Sequence, residues 1–197
     1  LFLHLLLWTL VPSLSNVNLP LDTIEALAWG SNLEWGFNKH PPLSAFAVEF
    51  FFTIFGNNDW AYYLLSQIFV LIAFYFVWKV SNELLQDKLY ALLSVLLLSS
   101  IYFYNYTTPE FNVNVSQLPF WALSVYFFWR GINLNKSIDW ILFGIFSALG
   151  FLSKYLFIYI LLALFIFFIS NYKIYKKASN KYFFSILISL ALLTPHF

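Results

Sequence analysis

The chain has 197 residues, of which 61% are hydrophobic, 23% aromatic and only 10% charged, with a formal net charge of +1. An ordinary soluble domain is about 45–50% apolar and about 25% charged, so this chain carries more apolar surface than a water-soluble fold can bury. Its near-zero charge, with the basic residues scattered rather than massed, excludes a nucleic-acid surface, and the absence of cysteine removes disulfides, thiol nucleophiles and thiolate metal sites together.

Uncharged runs at 60–78, 89–109, 111–129, 155–172 and 182–197 each approach the roughly 20 residues that an α-helix needs to cross a bilayer core of about 30 Å. The expected class is therefore all-α, a polytopic helical membrane protein forming a single membrane-embedded domain over 1–197. The chain opens on Leu1, holds no methionine and stops at Leu-Thr-Pro-His-Phe without a polar tail. We expect it to be the N-terminal part of a longer protein, truncated at both ends.

In chain order, a first helix over about 1–14 leads into a long loop, 16–57. Within it, Leu21 to Phe37 places Leu21, Ile24, Leu27 and Ala28 at helical spacing, and Ser44 to Phe55 is an apolar helix broken only by Glu49. Neither is long enough to span. Both are expected to lie in the membrane interface, with Trp29, Trp35 and Trp60 at the headgroup level. Spans follow at about 58–79, 89–106 and 113–130. The segment 138–171 is an apolar stretch of 34 residues interrupted by Lys154, and as one helix it would be about 51 Å long. Loop charge decides in favour of two helices, 138–153 and 155–171, because cytoplasmic loops carry the excess of Lys and Arg. Lys79, Lys88, Arg130, Lys136, Lys173, Lys176, Lys177 and Lys181 then share one side, and only Lys39 and Lys154 face the other. A last helix starts at about 182, giving about seven transmembrane helices. Asp22, Glu25, Glu34, Glu49, Asp59, Glu110, His40 and His196 collect on the outer side.

Several of these residues are suited to chemistry, and each also has a plain structural use. Asp22 and Glu25 stand three apart and share a helix face; they also form a capping-box-like pair at the start of the first loop helix. Lys39 and His40 precede Pro41 and Pro42, which stiffen the backbone and fix where a cation and an imidazole point. That suits an anionic ligand, as it suits a snorkelling lysine beside a helix start. Lys154, alone between two apolar helices, is costly unless it reaches water, a carboxylate or a phosphate. Glu110, followed by Asn112 and Asn114, is either a solvated loop charge or the lining of a sugar pocket. His196 after Pro195 reads as structural.

The order of motifs resembles a known family. Leu-Asp-Thr-Ile-Glu-Ala-Leu-Ala-Trp from Leu21, Gly-Phe-Asn-Lys-His-Pro-Pro-Leu-Ser-Ala-Phe from Gly36 and Phe-Gly-Asn-Asn-Asp-Trp-Ala-Tyr-Tyr-Leu-Leu from Phe55 are similar to the first outer loop of bacterial family 39 glycosyltransferases. These belong to the GT-C superfamily, with the protein O-mannosyltransferases and the aminoarabinose transferase of lipid A. Phe-Asn-Val-Asn-Val-Ser-Gln-Leu-Pro-Phe-Trp, Gly-Phe-Leu-Ser-Lys-Tyr and Thr-Pro-His-Phe follow in the family's order. The resemblance implies a GT-C-like fold in the bacterial cytoplasmic (inner) membrane. It also implies transfer of a sugar from a polyprenyl-phosphate donor to an acceptor at the outer face, with Asp22 as general base in an inverting displacement. Lys39, His40 and Lys154 would stabilise the leaving phosphate, and Glu25 would orient the acceptor or ligate a divalent cation. The acid motif is Asp-x-x-Glu rather than the adjacent Asp-Glu of the protein mannosyltransferases, which fits a lipid-linked or lipopolysaccharide acceptor better than a protein. The competing readings are a non-enzymatic lipid or sugar transporter subunit and a fragment without activity.

Overall fold

A computed structural model describes residues 1–197. The fold is all-α, without strands: α1 Phe2–Ser15, α2 Leu21–Gly30, α3 Leu43–Phe55, α4 Asp59–Leu85, α5 Lys88–Ser100, α6 Val113–Leu134, α7 Ser137–Ser153, α8 Ile158–Ser170, the single turn α9 Tyr172–Tyr175, and α10 Ser179–Leu193. Helices stand at all seven places where the sequence predicts a span, and α2 and α3 occupy the first loop. The boundaries follow local chemistry. Asp87 caps α5 by accepting from the Leu89 and Tyr90 N–H groups at 2.7 and 3.3 Å. Gln86 and Asn135 end α4 and α6 in the left-handed conformation.

Successive long helices run in alternate directions. The end of α1 meets the start of α4 through Asn16 and Tyr63 (3.1 Å), while His4 meets Phe74 further along α4. α7 returns along α6, from Arg130 and Asp139 at one end to Ser153 and Ser116 at the other. The break at Lys154 is a reversal. Phe157 lies against Gly150 near the end of α7, and Phe168 lies against Trp140 near its start, so α8 runs back beside α7 as two helices rather than one. Between α8 and α10 the chain turns by 82°. α10 then returns from Tyr182, stacked on Phe168 at 4.3 Å, to Leu193 beside Ala148 and Leu152.

By length and composition α4 alone is sufficient to cross a membrane, and α8 with α10 qualifies as a bent pair. α1, α5, α7, α8 and α10 have 14, 13, 17, 13 and 15 residues, or about 20–26 Å of helix. Short 3-10 turns at Tyr102–Tyr104, Tyr155–Phe157 and Thr194–His196 adjoin three of them at one pole of the bundle. α5 is shorter than the predicted 89–106 because the Ser99 and Ser100 hydroxyls turn back onto the Leu96 and Leu97 carbonyls and the Asn105 amide takes the Ser99 carbonyl. α2 likewise stops at Gly30 rather than continuing to Phe37. A side chain at Gly30 would stand 2.9 Å from the Ala45 carbonyl of α3, so the residue permits a close helix crossing.

Two cores result. One joins α2, α3, α4 and α6 around Tyr62, Phe74, Phe111 and Val115; the other joins α6, α7, α8 and α10 around Trp140, Phe168 and Tyr182. Gly150 is the tightest point outside them, since a Cβ there would lie 2.3 Å from the ring of fully buried Phe157. Gly150→Ala should therefore destabilise the protein by about 1–3 kcal/mol. Thermal unfolding in detergent checks this, and combining it with Phe157→Leu should recover part of the loss.

Candidate active site

α2 begins at an N-cap occupied by Pro20, whose carbonyl accepts from the Thr23 and Ile24 N–H groups at 3.1 Å. Asp22 is therefore inside the first turn. It makes no capping box with Glu25, which corrects the expectation from spacing. Its backbone N–H is one of the donors that a helix start leaves unpaired, and Glu110, 88 residues later, accepts from it through Oε1 at 3.2 Å. A carboxylate there also complements the positive end of the helix. Next to it the Thr23 hydroxyl, 1% exposed, donates to the Phe111 carbonyl at 3.1 Å and ties α2 to the chain entering α6.

Asn112 completes this junction. Its Oδ1 caps α6 by accepting from the Asn114 and Val115 N–H groups at 2.9 and 3.2 Å. With the oxygen so committed, the Nδ2 side faces Asp22 and donates to Oδ2 at 3.3 Å. One oxygen of the Asp22 carboxylate is thus held, and Oδ1 remains available to a ligand.

Across α2, Lys39 Nζ donates to Glu25 Oε2 at 2.8 Å, and this hydrogen bond raises the ammonium pKa above its ordinary value. The following residue, His40, accepts from the Phe37 N–H through its carbonyl at 3.2 Å. Its ring meets Trp29 edge to face at 5.9 Å, and Trp29 stacks on Phe37 at 5.1 Å. Pro41 and Pro42 then lead directly into α3, with Pro42 at its N-cap. The aromatic contacts make Trp29 a wall of a small pocket. Burial lowers the His40 pKa; the positive charges of Lys39 and Lys154 act the same way, and those of Glu25 and Asp22 oppose them. From the opposite side Lys154, the residue that ends α7, donates from Nζ to Asn114 Oδ1. Asp22, Glu25, Lys39, His40, Glu110, Asn112 and Lys154 therefore gather at one pole, while Arg130, Asp139 and Glu83 meet at the other.

Asp22 stands between two spaces. A cavity of about 480 Å³ is bordered by Asp22, Thr107, Glu110, Asn112, Asn114 and Gln117. A small polar pocket, with room for about one water molecule, is bordered by Asp22, Glu25, Trp29, His40, Ser44 and Asn112. Ser44, 1% exposed, has no hydrogen-bond partner for its hydroxyl. Reading the sequence missed Ser44, Thr107 and Gln117, and nothing in their local pattern marks them.

His196 closes the pole from the far end of the chain. Its Nδ1 lies 2.5 Å from the Trp35 carbonyl and its Nε2 3.0 Å from the Tyr155 hydroxyl. A carbonyl only accepts, so Nδ1 carries the proton. Gly36 admits the ring, since a Cβ there would approach it to 3.3 Å. Glu25 is paired with Lys39, and no group of three His, Asp or Glu side chains converges on one point.

The lowered His40 pKa makes a prediction with a definite sign. The unfolded chain, with an imidazole near 6.5, takes up a proton before the folded one does. Stability should therefore fall as pH drops from about 6.5 towards the lower folded value. Melting temperatures between pH 5 and 8 should show that slope in the wild type and less of it in His40→Gln.

Among known proteins, residues 39–197 match the family model described as dolichyl-phosphate-mannose-protein mannosyltransferase. No curated protein and no solved structure gives a significant match. The matched region contains Lys39, His40, Glu110, Asn112 and Lys154; Asp22 and Glu25 precede it and join it through their contacts with Glu110, Asn112 and Lys39. Covering most of the sequence, this match shows that the chain belongs to the dolichyl-phosphate-mannose-protein mannosyltransferase family, a family of membrane-embedded glycosyltransferases.

Proposed function

We propose that the protein transfers a sugar from a polyprenyl-phosphate donor to a hydroxyl of a lipid-linked or other glycoconjugate acceptor, at the outer face of a bacterial cytoplasmic membrane. The observation that carries this reading is the Asp22 carboxylate. It is held by Asn112, lies on a helix start capped by Glu110, borders a cavity lined with amides, and shares its pole with Lys39, His40 and Lys154. Asp22 Oδ1 removes the proton from the acceptor hydroxyl as that oxygen attacks the anomeric carbon. The bond from that carbon to the phosphate oxygen breaks, and its electron pair leaves with the phosphate.

Lys39 and Lys154 are the cations for that phosphate. Lys39 is bound to Glu25, but solvent screens so exposed a pair, so little is lost when the ammonium turns to a doubly charged leaving group. Lys154 holds only a neutral amide. His40, neutral near pH 7, contributes an N–H rather than a charge, and Glu25 orients the acceptor. Gathering of the ionisable groups at one pole, rather than midway along the bundle, favours catalysis at the surface over transport.

The test uses the full-length protein in proteoliposomes with labelled polyprenyl-phosphate sugars and two acceptor classes, a glycolipid and a Ser/Thr peptide. Transfer to the glycolipid is expected. Transfer only from a nucleotide sugar, or no transfer with any polyprenyl-phosphate donor, would sink the reading.

A further inference from the structure

A second cavity adjoins the first. It measures about 470 Å³, lies between α1 and the segment 101–112, and shares Thr107 and Glu110 with the cavity that holds Asp22. Its aromatic lining is Trp8, Tyr102 and Tyr106. The two tyrosine rings lie 5.3 Å apart at 29°, Trp8 meets Tyr106 edge to face at 6.4 Å, and Tyr102 and Tyr106 are 56% and 64% exposed. Asn16, Thr107 and Glu110 stand on its border. Glu110 spends Oε1 on the Asp22 N–H and has no protein partner for Oε2. The other large cavities differ in kind: those between α4, α5 and α6 and between α7, α8 and α10 each have 11 hydrophobic residues among 13.

Exposed aromatic faces beside a carboxylate, an amide and a hydroxyl match a pyranose, which has an apolar C–H face and a polar edge. A hydrocarbon chain in the same place would desolvate those polar groups without pairing them. The volume suits a small ligand held by a few convergent polar groups. We propose that this cavity is a saccharide subsite for the acceptor: it holds a sugar ring the acceptor already carries, with Glu110 as the wall between that ring and the hydroxyl facing Asp22. The proposal rests on the glycosyltransferase reading and narrows it, since the acceptor must then be a glycolipid or oligosaccharide rather than an unmodified peptide.

The experiment places the full-length protein in nanodiscs and measures binding of methyl gluco-, galacto- and mannopyranosides and their disaccharides by saturation-transfer NMR, without any donor. At least one should bind. Tyr106→Ala should weaken it about tenfold, as expected for loss of one stacked ring, and Tyr106→Phe should restore it. Melting curves of the variants control for folding, and because Tyr106 is exposed they should match the wild type. In transfer assays Tyr106→Ala should raise the acceptor KM and leave the donor KM unchanged. Absence of binding by every pyranoside, binding indifferent to Tyr106→Ala, or a rise in donor KM alone would each overturn the subsite. Sugar binding in a protein that transfers nothing would support the subsite and count against the glycosyltransferase reading.

Discussion

Asp22→Asn should lower kcat for sugar transfer by about 10²–10⁴-fold while leaving the donor KM nearly unchanged. The substitution keeps the size of the side chain, so the contact with Asn112 and the backbone bond to Glu110 can persist. What disappears is a basic oxygen at the position where the acceptor proton must go. Asn112→Ala should have a smaller effect of the same kind, because it frees the carboxylate to rotate without removing it. Single-turnover transfer in proteoliposomes, with the donor KM measured separately, tests both. An Asp22→Asn enzyme within a few-fold of the wild-type kcat would place the base elsewhere.

At the opposite pole, Arg130→Leu should destabilise the fold by about 3–5 kcal/mol, more than any other single change considered. Arg130 Nε donates to Asp139 Oδ1 at 2.9 Å, and the Asp139 side chain is only 3% exposed. The guanidinium also lies 3.4 Å from the Tyr126 hydroxyl and 3.6 Å from Glu83, so one side chain joins α4, α6 and α7. Without it a carboxylate stays buried and uncompensated. Asp139→Leu in the Arg130→Leu background should recover much of the loss, because an apolar pair of similar volume avoids the desolvation penalty. Thermal unfolding of the two single variants and the double variant measures this coupling. Transfer per folded molecule should be nearly unchanged, because the cluster is at the far pole from Asp22.

The alternation of helices was legible because charge marks where the apolar runs stop: Lys79 and Lys88 bracket one turn, Arg130 and Lys136 another, and Lys154 is a lone cation that a continuous apolar helix would have to bury. That the candidate site residues gather at one pole was legible, since ionisable groups in so apolar a chain concentrate where they meet water. Their contacts with one another were not. Capping of α2 by Glu110 depends on a residue 88 positions away, and spacing alone suggested the nearer Glu25. The end of α2 at Gly30 is set by α3 crossing over it, and the isolated hydroxyl of Ser44 exists only because α2 and α3 enclose it. No periodicity carries that information.

The long-range cap on α2 also bears on how the protein is made. Asp22 leaves the ribosome 88 residues before Glu110, a wait of roughly 4–18 s at synthesis rates of about 5–20 residues per second. His196, which clasps the Trp35 carbonyl, comes 161 residues after its partner. Until the chain reaches Phe111, α2 lacks both the Glu110 carboxylate on its first turn and the Phe111 carbonyl that anchors Thr23. His196 joins the candidate site's pole only once α10 has been made.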